Sequence, residues 1–600
     1  MCGIVGFIGD NALMNVMEGL RTLEYRGYDS AGVAYMDFNT NEMKVVKREG
    51  RLINIHHTIS EVDRSWPEIA IGHTRWATHG KPSELNAHPH VSGNIAVVHN
   101  GIIENYVELS EQIKSRGKKI VSDTDTEVIA HLIDLASGSS LLDKVRRAVM
   151  DLRGSYAIAV LSEDHQGEIV VARNGSPLVV GLATSDWPGT IVSSDVQGLV
   201  EHTDEAYILR DDEFAVLTKE GIRFFDPVKE IQKGTITIDW KPESISIGEF
   251  DTFMRKEIQE QPAAVTNTVI KNDWNKVSEF IQSLSCTDTL FLACGTSFNA
   301  SKIGVIFLED LGLIYSRARL ASEVCYSTRV KPGTLVIAVS QSGETADTLN
   351  AVRYAKEAGA TVLAIVNVVG STLTREADFV VYTAAGPEIS VASTKAFTSQ
   401  LAVLYMLGGI FHGINSNDGG KMLDKVRSEL ENIADDMRSV LSQEPGIKDI
   451  ASTISDTSVL FLGKGMHTPV AYEGALKLKE ISYLHAEGLP AGEIKHGPLA
   501  LVETGTPVIA LVLKGATYNK MISSIKEVQA RGARVIAIAS EGDKKIANIT
   551  EEVIYIPNSS ETLSPILSVL PLQLLSYHVA KSLGRDIDKP RNLAKSVTVE

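Results

Sequence analysis

The stretch TLFLACGTS at 289–297 returns as VLFLGKGMH at 459–467. GTLVIAVSQSGETADTLNAVRYAKEAGATVLAIV at 333–366 returns as GTPVIALVLKGATYNKMISSIKEVQARGARVIAIA at 505–539. Gly295 and Gly465 stand 170 positions apart, Gly333 and Gly505 172. A near-constant offset across two separate motifs marks a duplication. Each copy alternates a short continuous apolar run with an amphipathic helix. Runs apolar on both faces suit parallel strands sandwiched between helices. The second half is therefore expected to hold two tandem, doubly wound α/β subdomains, at 256–425 and 426–600.

The first part reads differently. GIVGFIG, IAVVHNGII, SYAIAVLS, EIVVARN and EFAVLT are short apolar segments bounded by Gly, Asn and Asp, with helical stretches such as DTEVIAHLIDLAS between them. This predicts a strand-rich α+β domain over 1–240. A polar stretch with Pro242 then turns charged and helix-like, which places a linker at 241–255. At 600 residues the chain is too long for one core.

A net charge of −17 argues against a nucleic-acid surface, which needs a basic stripe. The longest apolar run, near Leu401 to Phe411, is short of the roughly 18 residues of a membrane span. The N-terminus shows no secretory leader. The four cysteines, Cys2, Cys286, Cys294 and Cys325, form no CxxC pair. A reducing cytoplasm is expected, with no membrane or nucleic-acid partner.

In the first repeat, SQSGET follows a strand and precedes a helix. Ligands of open α/β sheets bind at such carboxyl ends, and a helix N-terminus favours an anion. Ser340, Gln341, Ser342 and Thr345 add neutral donors. No GxxxxGK[ST] is present, so a single phosphate on a small molecule fits better than a triphosphate. Ordinary helix capping by Ser and Thr is the competing account. The second repeat has LVLKGATYNK there and lacks the serines. SQSGETADT, and ACGTS with Ser297, resemble the two ligand loops of the sugar isomerase (SIS) family. That resemblance implies a sugar-phosphate site at Ser297, Ser340, Gln341, Ser342 and Thr345, joined by Ser393 of VASTKAFTSQ.

The chain starts MCGIVGFIGD. If Met1 is removed, Cys2 carries both a thiol and a free α-amino group. An α-amine, with an unperturbed pKa near 8, can serve as the base for its own nucleophile. CGIVG resembles the terminus of class II glutamine amidotransferases, which have the N-terminal-nucleophile αββα fold. HTRWATHG, HNGIIEN and SDTDTEV match the same family. The resemblance implies glutamine binding by Arg75, Trp76, Thr78, His79 and Asp125, with Trp76 as a gate for ammonia. It implies an oxyanion hole at Asn100 and Gly101. HNG is also an ordinary hairpin turn. His73, His79, His88 and His90 fit no zinc spacing, and no metal is expected.

YEGALKLKEISYLHAEGLPAGEIKHGPLAL places Glu473, Lys477 and Glu480 on one helical face. On pattern alone this is a solvated Glu–Lys face. The tandem repeat joined to a Cys2 domain resembles, from Cys2 to NLAKSVTVE, the amidotransferases that aminate and isomerise a ketose phosphate. The resemblance implies that Glu480 moves a proton between the first two carbons, that His496 helps open the sugar ring, and that Lys595 forms a Schiff base. Glu473 and Lys477 are supporting members. The implied substrates are L-glutamine and D-fructose 6-phosphate, with no organic cofactor and a homodimeric assembly. The chain lacks the long insertions of eukaryotic members. Another class II amidotransferase, or a non-catalytic sugar-phosphate sensor, are the rival readings.

Overall fold

A computed structural model describes residues 2–37, 40–62, 67–183, 188–238, 240, 242–284, 286, 288–416, 420–455 and 457–598. The chain divides into two compact units, one running to Ser246 and taking in the tail from Ala594, the other Ile247–Leu593.

The first unit stacks two antiparallel sheets. In one, Gly3–Gly9 lies between Gly189–Ser193 and Ile69–Arg75, with Ser30–Met36 and Met43–Glu49 beyond. In the other, Ile95–Ile103 pairs with Gly154–Ser162, which pairs with Ile169–Asn174. Apolar residues from both, among them Ile4, Ile71, Val98, Ala159 and Val192, form one buried core between the sheets. The outer face of the second sheet is covered by the helices Glu127–Leu135 and Leu141–Val149. The helix Ala12–Leu23 covers the outer face of the first, with Val16 and Leu20 against Gly72. The layers run helix, sheet, sheet, helix. The short apolar segments of the sequence are these strands, buried on both faces.

The second unit holds two five-stranded sheets, all parallel. In the first, numbering strands along the chain as Asp288–Ala293, Tyr315–Leu320, Leu335–Ser340, Thr361–Val366 and Phe379–Tyr382, the spatial order is 2-1-3-4-5. In the second, Val459–Gly463, Ala486–Pro490, Pro507–Val512, Arg534–Ser540 and Glu552–Ile556 take the same order. Identical topology is what the repeated sequence requires. The direction of winding reverses between strands 1 and 3, which opens a crevice at their carboxyl ends. In the first sheet these ends carry ACGTS and SQSGET.

The inner helices of both sheets share one core that runs from Met254 to Ile587. Lys395–Ser416 is its central helix. By length and composition it could cross a membrane, but 83% of its most apolar window is buried within the unit. The apolar run seen in the sequence is thus part of a longer helix, whose apolarity serves this core. The helix Lys421–Leu441 runs straight across residue 425, so no break in regular structure falls there. The helix Phe253–Lys271 is capped by Thr252, and Asp588 accepts hydrogen bonds from its Phe253 and Met254 N–H groups, both at 2.8 Å.

Gly474 shows how tightly the helix His467–Ser482 seats. A Cβ there would lie 2.7 Å from Leu572 Cδ1 and 3.0 Å from Phe461 Cδ1. Gly474→Val is expected to cost about 1–3 kcal/mol in chemical denaturation. Gly446→Ala, in the helix Glu444–Ala451 where a Cβ meets nothing, should be neutral or stabilise by about 0.5–1 kcal/mol. Equal effects at the two sites would contradict this packing.

Candidate active site

The strand Gly3–Gly9 places Cys2 at its mouth. Gly3 pairs with Thr74, and a Cβ at Gly3 would sit 2.6 Å from Thr74 Oγ1, so only glycine fits behind the cysteine. The half-buried Cys2 Sγ accepts a hydrogen bond from the Trp76 N–H at 3.2 Å. The Cys2 carbonyl accepts from Asn100 Nδ2 at 2.9 Å and Arg26 Nε at 3.3 Å. Arg26 in turn pairs with Asp195. Met1, whose removal the sequence reading requires, lies outside the described residues.

His99, Asn100 and Gly101 lie inside the strand Ile95–Ile103, so HNG is no hairpin turn. Gly101 has φ +138°, and a Cβ there would meet the Ser155 carbonyl at 2.0 Å. Asn100 is buried, its Oδ1 3.1 Å from His73 Nε2, so the His73 N–H orients the amide and leaves its N–H₂ facing Cys2. Burial pushes His73 down to about 3 and holds His88, His90 and His99 below the usual histidine range. These are neutral, packed rings: His73 stacks on His88 at 4.1 Å. Among the described residues no group of His, Cys, Asp and Glu is arranged to hold a metal.

Arg75 ends the strand Ile69–Arg75 and is buried. Its Nη2 donates to the His79 and Gly80 carbonyls, the latter at 3.0 Å. Its Nη1 is buried without a hydrogen-bond partner. Burial lowers the guanidinium pKa, opposed by Cys2, Asp29 and Asp125 nearby. A buried orphan donor beside a thiol is what an incoming carboxylate would complete. Asp125 Oδ2 accepts the Ile103 N–H at 2.8 Å. Trp76 packs edge-on to Tyr28, His79 edge-on to Tyr106, and Thr78 is exposed. Cys2, Arg75, Trp76, Asn100 and Asp125 thus gather in one place.

In the second unit, the helix Gly295–Ile306 begins within ACGTS, and Ala346–Glu357 follows SQSGET. Thr345 makes no side-chain cap to its helix, which counts against simple capping. Ser340 Oγ accepts the Gly343 N–H at 3.0 Å and Ser342 Oγ the Glu344 N–H at 3.2 Å. Gly343 has φ +66°, and a Cβ there would strike Ser371 Oγ at 2.1 Å. Ser297 Oγ lies 2.9 Å from Gln400 Nε2, and Gln341 is half-buried. Ser393 Oγ donates to Glu388 at 2.9 Å, and Glu388 also accepts the Thr394 and Ala396 N–H groups.

Glu473 and Lys477 are fully buried, against the solvated-face reading. Lys477 Nζ stands 2.7 Å from Glu480 Oε2, 3.5 Å from Glu473 Oε1 and 3.0 Å from Thr296 Oγ1. Thr296 Oγ1 donates to Glu473 Oε1 at 3.0 Å, and Asn299 Nδ2 to Oε2 at 2.9 Å. Burial disfavours the Lys477 charge, yet Glu480 and Glu473 outweigh it and hold the ammonium above its usual range. Burial pushes the Glu473 carboxyl up, against the pull of Lys477 and Asn299. Glu480 keeps partial access to solvent. Thr296 and Asn299 went unnoticed in the sequence because they lie far from Glu473 along the chain. His496 is exposed, at the end of a short turn Glu493–His496. Arg591 lies over the Tyr483 ring at 4.3 Å, just beyond the helix that carries Glu480. The half-buried Lys595 belongs to the segment grouped with the first unit, not with the second repeat as the sequence boundaries had it.

Residues 284–408 and 454–582 match the SIS domain, and residues 73–201 a glutamine amidotransferase domain. The chain is 45% identical over 615 residues to glutamine–fructose-6-phosphate aminotransferase (isomerizing) of Clostridium tetani, covering 100% of both. It is 44% identical over 611 residues to a protein of that name from Thermus thermophilus, again over 100% of both. Among solved structures, the C-terminal domain of glucosamine-fructose-6-phosphate aminotransferase from Francisella tularensis matches with TM-score 0.55 and 38% identity. That match covers 57% of this chain and 100% of the other.

Glu127 shapes the loop that presents Asp125. Its carboxylate accepts the Val121 N–H at 2.9 Å and the Ser122 N–H at 2.6 Å. Burial opposes its ionisation, but these bonds and His131 prevail and hold it down at about 2. A depressed carboxyl stabilises above its unfolded value, and that stability is lost as pH falls from 4.5 towards 2. Glu127→Gln should be less stable at neutral pH and lose less stability than wild type between pH 5 and 3, read by urea denaturation. Parallel losses in the two proteins would contradict this role.

Proposed function

The chain belongs to the glutamine–fructose-6-phosphate aminotransferase (isomerizing) family, and we propose the residues through which it carries out that reaction. It transfers the amide nitrogen of L-glutamine to D-fructose 6-phosphate and isomerises the product to D-glucosamine 6-phosphate, releasing L-glutamate. Two observations carry the assignment of residues: a thiol near the start of the chain beside a buried arginine with one unpartnered nitrogen, and a Glu–Lys–Glu helix face in which Glu473 and Lys477 are fully buried.

In our reading, Met1 is removed and the Cys2 α-amine takes the thiol proton. The thiolate attacks the glutamine side-chain carbonyl, forming a C–S bond. The tetrahedral oxyanion is met by Asn100 Nδ2 and the Gly101 N–H. Collapse breaks the C–N bond, ammonia leaves with the transferred proton, and water hydrolyses the thioester to glutamate. Arg75 takes the substrate α-carboxylate and Asp125 its ammonium. Trp76, Thr78 and His79 complete that pocket, with Trp76 gating the passage of ammonia.

For the sugar, Ser297, Ser340, Gln341, Ser342 and Thr345 take the phosphate, supported by the positive dipole end at the start of Ala346–Glu357. Ser393 contacts the sugar. His496 assists ring opening, and Lys595 carries the ketose as an imine until ammonia replaces it. Glu480 then removes the C1 proton and returns it to C2, converting the ketose imine to the aminoaldose. Lys477 pairs with that carboxylate at 2.7 Å. Homodimeric assembly in the cytoplasm belongs to the same reading and rests on the family resemblance.

Cys2→Ala is expected to abolish glutamine hydrolysis and glutamine-dependent amino-sugar formation while leaving interconversion of fructose 6-phosphate and glucose 6-phosphate intact. The two assays are run on one preparation. Retained glutamine hydrolysis would overturn the assignment of Cys2.

A further inference from the structure

Asn299 has no place in the reaction as set out above, yet it meets the most deeply buried carboxylate of the cluster. It lies on the second turn of Gly295–Ile306, in the first repeat, and is buried. Glu473 lies on His467–Ser482, in the second repeat. Both Glu473 oxygens are engaged from the first repeat, Oε2 by Asn299 Nδ2 at 2.9 Å and Oε1 by Thr296 Oγ1 at 3.0 Å. The direction of the Asn299 bond is fixed by chemistry, since a carboxylate only accepts and so must face the N–H₂. Lys477 stands between this carboxylate and Glu480.

We propose that Asn299 is a positioning residue that keeps Glu473 ionised, so that Glu473 shares the Lys477 ammonium and leaves Glu480 a stronger base. This rests on the reading of Glu480 as the proton carrier. An ammonium divided between two carboxylates holds each less tightly than one bound to a single carboxylate. Without the Asn299 donor, the buried Glu473 takes up a proton more readily. Lys477 then pairs with Glu480 alone. A tighter pair lowers the proton affinity of Glu480, and a weaker base carries the C1 proton more slowly.

The charged surroundings of the cluster are few. Glu388 acts on Lys477 from the loop before Lys395–Ser416. On the helix Gly295–Ile306, Lys302 is engaged over the Phe298 and Tyr472 rings, at 4.6 and 4.3 Å. The neighbouring strand Ala486–Pro490 contributes Glu487. On Ser564–Ser582, His578 pairs with Glu444 and Lys581 with Asp251. Of these groups, Glu480, Glu473 and Glu388 are the carboxylates that act most strongly on Lys477.

The test is the pH profile of fructose 6-phosphate isomerisation in the full chain, with glutamine hydrolysis measured alongside. Asn299→Leu keeps the volume and removes the donor. Its kcat should fall about tenfold, its acid limb should move down by about one pH unit, and its KM should stay within about threefold of wild type. Glutamine hydrolysis should be unchanged. Should Asn299→Leu fail to fold, Asn299→Ser, which keeps a shorter donor, should show the same displacement at smaller size. An acid limb that stays in place in the folded variant overturns the proposal, as does a loss confined to KM. Glu480→Gln separates the two claims. Activity retained there would sink the reading of Glu480 itself, whereas an inactive Glu480→Gln with an unshifted Asn299 variant would sink only the role of Asn299.

Discussion

The second unit depends on a carboxylate that has left water altogether. Glu473 is fully buried, and its two oxygens are held by Thr296 and Asn299 from the other repeat, with Lys477 alongside. An ion cluster so placed survives only when every member is matched, and removing one partner from such a pair costs about 3–5 kcal/mol. That constraint fixes how the two repeats approach each other. It requires a close seat for the helix His467–Ser482, which Gly474 provides. It also puts Glu480, at the solvent-facing end of the same helical face, next to a cation it would not meet on an open surface. The groups that hold the two repeats together thus also surround Glu480.

The duplication gives this cluster its setting. Two sheets of the same 2-1-3-4-5 order offer two crevices, but the chain has used them differently. The first repeat kept the hydroxyl-rich loops at its strand ends. The second has LVLKGATYNK at the matching place, where Glu561 Oε2 lies 3.4 Å from the Ala516 N–H. It contributes the Glu–Lys–Glu helix instead. The hydroxyl-rich loops come from one copy, and the Glu–Lys–Glu helix from the other. The first unit follows a different logic: a glycine with no room for a side chain sets the cysteine at the mouth of a strand, and four uncharged histidines pack the wall behind it. Burial explains their neutrality.

Much of this was legible in the sequence, for identifiable reasons. Short continuous apolar runs alternating with amphipathic helices, repeated at a near-constant distance, suit buried parallel strands, so the tandem sheets were readable in the sequence. Local motifs such as CGIVG and SQSGET carry their geometry within a few residues. What escaped was long-range. The partners of Glu473 sit in another repeat, and no local pattern announces Asn299. HNG looked equally like a turn because its strand context depends on pairing with Gly154–Ser162. The face of Glu473, Lys477 and Glu480 had the spacing of an exposed salt-bridge ladder, and only packing against the first repeat shows it buried. The sequence boundaries ran the second subdomain to residue 600, and from Ala594 the chain groups with the first unit.

The central claim is that nitrogen released from glutamine at Cys2 ends in the amino sugar made by the same chain. It is tested most directly by isotope. The enzyme is given glutamine labelled with nitrogen-15 in the side-chain amide, fructose 6-phosphate, and an excess of unlabelled ammonium, and the product is analysed by mass spectrometry. The account predicts glucosamine 6-phosphate carrying the glutamine label with little dilution. Product whose nitrogen matches the unlabelled bulk ammonium would contradict it.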